Sequence, residues 1–517
     1  MHHARSSPAL SRDEQVAAWR CWLLFCLLYI YELAHFNLTI DDEFLAQAGI
    51  CHFAEIGRWV HPLLRGTLWP QVVVPGGPLL LFGAALAVSF VYMIRLFGVA
   101  RFTAFHYLAF CAFALYPTWI AQLEFSANVL PDAVGVLCVA YAALQSVRWP
   151  DAPWSPVRRL RQSFVTVLAL AVALGAYQSL GLMYLALVIG AGFMAFVVLA
   201  PGQQPAWRDL VRTVARAVLL LALGLLVSLA MAKLVMLACG VQASEYGSSI
   251  LDVHKALRHP LGALARAVND TRRLFFSFWR PFDMAAAVFF CTVFLCCYMI
   301  VRLTVRGQRW KVGGVLLVLL MTPAALTLVG STSMTVRTFF AGPAVLLGLL
   351  LITHTLGREA SQRRTVLVLA ALCAVQGLYV NSVEQARGWL VQRHDQSTAG
   401  RIEQAILRLR PPGEHGMVQV NLQGELAFDS IYPAVWTGTT GASFFEWDDG
   451  NPHRMLSYMS LVGDLRYRYF QEPAPGEFAA VYARMPVWPA EGSVQRYKQG
   501  YLVKLSEPVE KQAPSHR

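Results

Sequence analysis

The chain has 517 residues, 56% of them hydrophobic and only 14% charged, and Lys and Arg outnumber Asp and Glu by 43 to 31 for a net charge of +12. That charged fraction is well below the roughly one quarter carried by soluble domains, so a purely cytosolic enzyme is excluded, and the mean hydropathy of +0.47 excludes intrinsic disorder. Many apolar runs are long enough to cross about 30 Å of hydrocarbon, which identifies a polytopic helical membrane protein in contact with the lipid bilayer rather than an outer-membrane barrel.

In chain order, Arg5, Arg12 and Arg20 precede a first apolar segment that lacks a small-residue cleavage site and holds Glu32 and His35 one helical turn apart. It reads as a retained signal anchor. About eleven spans are expected, at 19–38, 72–94, 102–120, 128–147, 164–177, 180–199, 217–238, 284–301, 313–330, 339–356 and 365–379. The run 164–199 is too long for one helix and carries Gly175, Tyr177, Gln178, Ser179 and Gly181 at its centre, so it is divided there.

Orientation follows from the basic residues. Arg95 and Arg101, Arg148 to Arg161, Arg208 to Arg216, Arg302 to Lys311, and Arg358 to Arg364 fall in alternate loops, which are cytoplasmic. The loops around Gln122 and Gln178 hold no basic residue, and the loop at 331–337 holds only Arg337. The basic residues form neither a one-sided patch nor an aromatic-interleaved stripe, so nucleic acid is not expected as a partner. An odd number of spans places the C-terminus outside.

Two outer loops are long, 39–71 and 239–283, and beyond Asn381 the composition becomes that of a soluble domain. There the pattern predicts a helix at 399–409, strands at 417–422, 479–483 and 501–504, and turns at Pro411-Pro412-Gly413 and Asp449-Gly450. The expected fold class is an all-α polytopic membrane domain over residues 1–382, followed by a small extracytoplasmic α/β domain over 383–517. Cysteines lie mostly inside apolar runs, with Cys51 and Cys239 near helix ends, so neither a disulfide framework nor structural zinc is expected.

The strongest chemical signal is Asp41-Asp42-Glu43, directly outside the first span. Three carboxylates at a membrane boundary repel one another and the anionic lipid surface, so a compensating cation, a proton or a function is expected. The plain alternative is a solvated loop start that helps keep this end outside. Phe44, Leu45, Ala48 and Phe53 follow at helix-like spacing, suited to an interfacial helix, and then come Gly57-Arg58-Trp59-Val60-His61-Pro62 and Gly66.

An acidic pair in the first outer loop, an interfacial helix and Gly-x-Trp with a following Pro and Gly resemble the start of the GT-C membrane glycosyltransferases, which use polyprenyl-phosphate sugars. In that resemblance Asp42-Glu43 matches the family's Asp-Glu pair. Tyr116-Pro117-Thr118-Trp119, Gln122-Leu123-Glu124-Phe125, Leu130-Pro131-Asp132, Ala176-Tyr177-Gln178-Ser179 and the segment after Asn381-Ser382 extend it, over most of the membrane portion, to the Gtr-type O-antigen glucosyltransferases. The third acid, Glu43, and the long C-terminal domain depart from that family and leave the acceptor open. The resemblance implies transfer of a hexose, glucose foremost, from a polyprenyl-phosphate carrier to an O-antigen or other envelope glycan, on the periplasmic side of the bacterial inner membrane.

A sugar on a lipid phosphate has a good leaving group, so transfer needs one carboxylate to take the acceptor's proton and cations to hold the departing phosphate. Adjacent side chains diverge by about 100° on a helix, so Asp41 and Asp42 address different atoms. Asp42 is assigned as base, and Asp41 to orientation or to a divalent metal such as magnesium or manganese, with Glu43 beside them. Glu124 resembles the second acidic position of GT-C sites, whereas Asp132 reads as a carboxylate favoured by a helix N-terminus. Arg337, and Arg272, Arg273 and Arg280 in the long outer loop, are phosphate candidates because a forked guanidinium suits phosphate, with lipid headgroups as their plain alternative. Arg58, Tyr177 and Gln178 are candidate substrate contacts. Competing readings are a lipid A, core or protein glycosyltransferase of the same fold, a glycan polymerase, and a flippase of lipid-linked sugars. The flippase is disfavoured because transport needs polar groups near the midplane, while carboxylates and arginines here cluster at one face.

Overall fold

The computed structural model describes residues 9–99, 101–147, 156–198, 207–244, 253–276, 285–304, 309–330, 334–429, 431–432 and 441–507. They form two compact units. The first holds the described residues up to Phe36 and from Gly49 to Ser382, and the second holds Asn37–Ala48 and the described residues from Val383 onward.

In the first unit six helices among the described residues are long and apolar enough to cross a membrane: Gly77–Leu96, Ser126–Ser146, Leu180–Val197, Trp207–Cys239, Trp310–Leu328 and Ala360–Leu409. Ala104–Ala114 and Pro117–Leu123, bent by 52°, make a seventh when taken as one span. Shorter apolar helices lie at Leu160–Ala176, Ala287–Arg302 and Ala341–Leu356. The chain is therefore a helical membrane protein, and among the described residues six helices, or seven with the bent pair, have the length and composition of a crossing.

Local sequence explains where these helices begin and break. Ser11 caps Arg12–Leu28 in a reciprocal box with Glu14, each side chain bonding the other's backbone N–H. Pro117 cannot continue the preceding helix but suits a first turn, so the bend falls at Leu115-Tyr116. The long run at 164–199 divides as its central residues imply, into Pro156–Ala176 and Leu180–Val198 with Tyr177-Gln178-Ser179 between them. Leu180–Val197 is largely buried among its neighbours, whereas Trp207–Cys239 exposes Leu219, Leu226, Leu229 and Leu237, the pattern of a lipid-facing helix.

Two expectations for the outer loops need correction. No continuous interfacial helix runs from Phe44 to Phe53: Asp42–Leu45 is a single turn, and His52–Ile56 is a separate 3-10 turn ended by Gly57 at φ 78°. Leu45 and Phe53 are both buried and belong to different units. Where no disulfide framework is expected, one bond is present, because Cys51 and Cys239 are joined. Cys239 is the last residue of its helix, and the Ser244 N–H donates to the Glu55 carbonyl at 2.8 Å, which brings the chain beyond Cys239 onto the His52–Ile56 turn.

The second unit is built on a four-stranded sheet of order β2-β1-β4-β3, with β1 at Val418–Gln423, β2 at Tyr467–Tyr469, β3 at Val494–Tyr497 and β4 at Gly500–Lys504. β1 runs parallel to β2 and β4, pairing Val420 with Tyr469 and Tyr501, and β3 and β4 are antiparallel. Its core joins Ile402 and Ile406, Val420 and Leu422, Phe445, Met455, Tyr458 and Val503, and also takes in Ile40. Ile40 is thus the apolar anchor that ties the acidic segment into this unit.

Here too the structure corrects the sequence reading. The helix expected at 399–409 is the end of one 50-residue helix, Ala360–Leu409, whose residues from Val383 on belong to the second unit. The strand expected at 479–483 is the helix Glu477–Tyr482. Phe478 and Tyr482 stand four residues apart on one face and pack with Phe470 and Leu502, a spacing that only a helix brings together. Lys504 closes its end by donating to the carbonyls of Tyr482 and Met485.

Candidate active site

In the second unit the acidic run is held by a residue far along the chain. Arg454 Nη1 and Nη2 each lie 3.2 Å from Asp41 Oδ1, and Nη1 also donates to Glu43 Oε1. Nη2 and Nε donate to Asp448 Oδ2 at 2.9 and 3.1 Å. Glu43 and Asp42 are fully buried. Asp42 Oδ2 accepts from the Thr39 N–H and hydroxyl, both at 3.1 Å. Burial pushes the Glu43 carboxyl up to about 7 although the Arg454 charge pulls it down, so at neutral pH it lies close to its midpoint. For Arg454 burial favours the neutral form, but Glu43, Asp41 and Asp448 outweigh it and raise the group.

Sequence places these partners. Asn451 accepts from the His453 N–H and Pro452 occupies the first turn, so the helix Pro452–Val462 starts with Arg454 in its first turn. Gln47, just past the acidic turn, donates to the Ser457 carbonyl one turn further along that helix at 3.2 Å.

In the first unit a second polar group forms from segments distant in sequence. Gly57 at φ 78° reverses the chain, and Arg58 then lies over the Tyr177 ring with Cζ 4.0 Å from its centroid. Arg58 Nη1 donates to Asn128 Oδ1 at 3.3 Å, and Gln178 donates to the Ile56 carbonyl at 3.1 Å. Tyr177 meets Phe340 edge-on, and Phe340 meets Trp119 in the same way. Arg337 stands over the Phe125 ring at 4.2 Å, next to Glu124, which ends the helix Pro117–Leu123. His61 is buried nearby; burial first, then the charges of Arg58 and Arg65, hold it well below its usual value, so it is neutral and its Nε2 faces the Ala176 carbonyl at 3.3 Å.

The structure thus gathers Arg58, Tyr177 and Gln178 with Asn128, and sets Arg337 and Glu124 beside Phe125 on the same unit. It does not bring Arg272 and Arg273 into this group: Arg272 donates to Asn269, and Arg273 lies 3.8 Å from buried Asp270. Arg280 lies outside the described residues. Asp132 stands in the second turn of its helix, beyond the reach of a terminal dipole, and accepts from Gln122 at 2.6 Å. Among the described residues no group of three or more His, Cys, Asp or Glu side chains is arranged to hold a metal ion, and the Asp41 carboxylate is engaged by Arg454.

Comparison with known proteins fixes the class. The family model described as glucosyl transferase GtrII matches residues 30–355, well over half of the chain. The chain belongs to this family. No curated protein and no solved structure matches it. The GtrII match covers the acidic run, Arg58, Glu124, Tyr177, Gln178 and Arg337, and it identifies a membrane glycosyltransferase with a role in glucosyl transfer. Arg454 and Asp448 lie beyond it. Sequence reasoning missed both: the only signal was the uncompensated charge of the acidic run, which called for a cation without saying which. Asn128 was missed for a similar reason, since nothing in its own segment points to Arg58.

Proposed function

We propose that this GtrII-family protein transfers glucose from a polyprenyl-phosphate carrier to an O-antigen or related envelope glycan, on the outer face of the bacterial inner membrane. The family match over residues 30–355 carries the reading, and the carboxylate run inside the matched region supplies the chemistry. The acceptor hydroxyl oxygen attacks the anomeric carbon, the bond from that carbon to the phosphate oxygen breaks, Asp42 takes the hydroxyl proton, and polyprenyl phosphate leaves with the electron pair. Arginines are the natural holders of that phosphate, and Arg337 and Arg58 are assigned to it, with Tyr177 and Gln178 toward the sugar.

The Cys51–Cys239 disulfide supports the outer location of the loops that carry these residues, because such bonds persist in the periplasm and not in the reducing cytoplasm. Taking the bent pair, the three shorter apolar helices and Arg12–Leu28 as further crossings yields eleven spans, with the C-terminal unit periplasmic.

The deciding experiment is mass analysis of envelope glycans from cells with and without the gene, together with release of polyprenyl phosphate from synthetic polyprenyl-phosphate glucose by their membranes. A gene-dependent hexose on a glycan and stoichiometric release of the carrier are expected. Unchanged glycans and no carrier release would remove the proposal.

A further inference from the structure

Arg454 spends all three guanidinium nitrogens on carboxylates: two on Asp41, one of these also on Glu43, and two on Asp448. Asp41 and Glu43 are the residues on either side of Asp42. The cluster is also where the backbone is strained. Four non-glycine residues among those described adopt left-handed conformations, and three of them, Asp41, Asp448 and Asp449, sit in the two turns that Arg454 joins. Each costs on the order of 1 kcal/mol or more and persists only where surrounding contacts impose it. Glu43 is fully buried, and its second oxygen has no hydrogen-bond partner, so one guanidinium serves three carboxylates.

We propose that Arg454, from the C-terminal unit and outside the region matched by the family, is a positioning residue for the transfer reaction: it clamps Asp41 and Glu43 and so keeps Asp42, between them, oriented. This rests on Asp42 as the base of the proposed function. A cation beside a carboxylate favours its charged form, so removal of Arg454 moves the Glu43 carboxyl upward, and the acid limb of the rate follows. The groups facing Glu43 are Arg454 across from it, Asp41 on its own segment and Asp448 through the shared guanidinium. His453, next to Arg454, packs against the Tyr469 ring instead, tilted by 34°.

The test uses full-length protein in native membranes, with labelled glucose supplied on a synthetic short-chain polyprenyl phosphate and transfer measured between about pH 5.5 and 8.5. In Arg454→Gln the acid limb should move up by about one unit, which is ~10-fold less transfer on the acid side and little loss at the alkaline end. Arg454→Lys returns the charge but not the fork, so its limb should stay near that of the wild type while the rate falls across the profile. A purely structural role would move stability and leave the limb in place.

A readout independent of turnover is the infrared band of the protonated Glu43 carboxyl, identified by its loss in Glu43→Gln. It should titrate at higher pH in Arg454→Gln than in wild type. If the wild type transfers no glucose, the proposed function fails, and the infrared titration alone decides whether Arg454 governs the acidic run. A folded Arg454→Gln protein with an unchanged limb or an unchanged Glu43 titration overturns the inference. Should Arg454→Gln not fold, Asp448→Asn replaces it, since that change loosens the guanidinium without removing its charge. Reduced transfer across the profile then supports the clamp, and wild-type kinetics overturn it.

Discussion

Cys51 and Cys239 are joined by a disulfide across 188 positions of sequence, with their Cα atoms 5.9 Å apart. One stands just before the His52–Ile56 turn and the other ends a membrane helix, so the bond fixes the interior of one long loop against the start of the other. The remaining eight cysteines are free thiols. The periplasmic side proposed for both loops is a compartment in which such a bond persists.

In intact cells, wild-type protein should take up no membrane-impermeant maleimide at either residue until a reductant is added, and Cys51→Ser should leave Cys239 open to labelling. Labelling of both residues without reductant would show outward-facing thiols that are not bonded, and an unlabelled Cys239 in Cys51→Ser would put its loop on the cytoplasmic side.

Reporter fusions after Arg161 and Arg309 should read as cytoplasmic, and fusions after Gln122, Arg337 and Gln392 as external, because Lys and Arg alternate between the loops. A cytoplasmic reading after Gln392 would make the number of crossings even and return the C-terminal unit to the cytoplasm.

Asp42→Asn keeps the size of the side chain and its acceptance from Thr39 but cannot take a proton. Donor binding should survive while turnover falls by about 10² to 10⁴-fold, the range of a positioned general base. Asp41→Asn should cost less, since Arg454 keeps Glu43 and Asp448 as partners. Near-normal turnover in folded Asp42→Asn protein would remove the assignment, and a dead Asp41→Asn variant would shift the base one residue upstream.

Arg337 lies over the Phe125 ring, with Cζ 4.2 Å from its centroid, and in the proposed function its fork addresses the phosphate. Arg337→Lys should weaken donor binding by about 10-fold and Arg337→Ala by more, read as the donor concentration for half-maximal transfer. Unchanged donor dependence in Arg337→Ala would move the phosphate to Arg58 or to the Arg272-Arg273 pair.

Gly175 has no room for a side chain: a Cβ there would lie 2.1 Å from Trp59 Nε1, the atom that donates to Ser228 at 3.0 Å. Gly175→Ala should displace Trp59, break that bond and destabilise the membrane unit by about 1–3 kcal/mol, seen as a lower unfolding temperature in detergent. Trp59→Phe removes the hydrogen bond and narrows the ring, so it should restore part of the stability of Gly175→Ala. A double variant no better than the single one would deny that these two residues compete for one space.

The membrane character, the break at Tyr177-Gln178-Ser179, the kinship with glucosyltransferases and the acidic run's need of a counter-charge were all legible in the sequence. Each depends on residues that are neighbours along the chain: an apolar stretch, a turn in mid-run, a short motif or a cluster of like charge. Hydrophobicity and turn chemistry act over a few residues, so their signature survives in one dimension. The strand expected at 479–483 shows where that stops, since a short apolar run suits either helix or strand until its partners, Phe470 and Leu502, are known.

What only the tertiary structure decided is which distant groups meet. Asp41 and Arg454 are 413 residues apart, Arg58 and Asn128 are 70, and Trp59 and Ser228 are 169. The sequence announced that three adjacent carboxylates need a counter-charge, but 43 Lys and Arg residues were available to supply it. Burial of Ile40 in the core of the second unit carries the acidic turn to the first turn of Pro452–Val462, and that packing selects Arg454 among them. A charge attracts any opposite charge within reach, so its partner is chosen by the apolar contacts that set the reach, and those are a property of the folded chain.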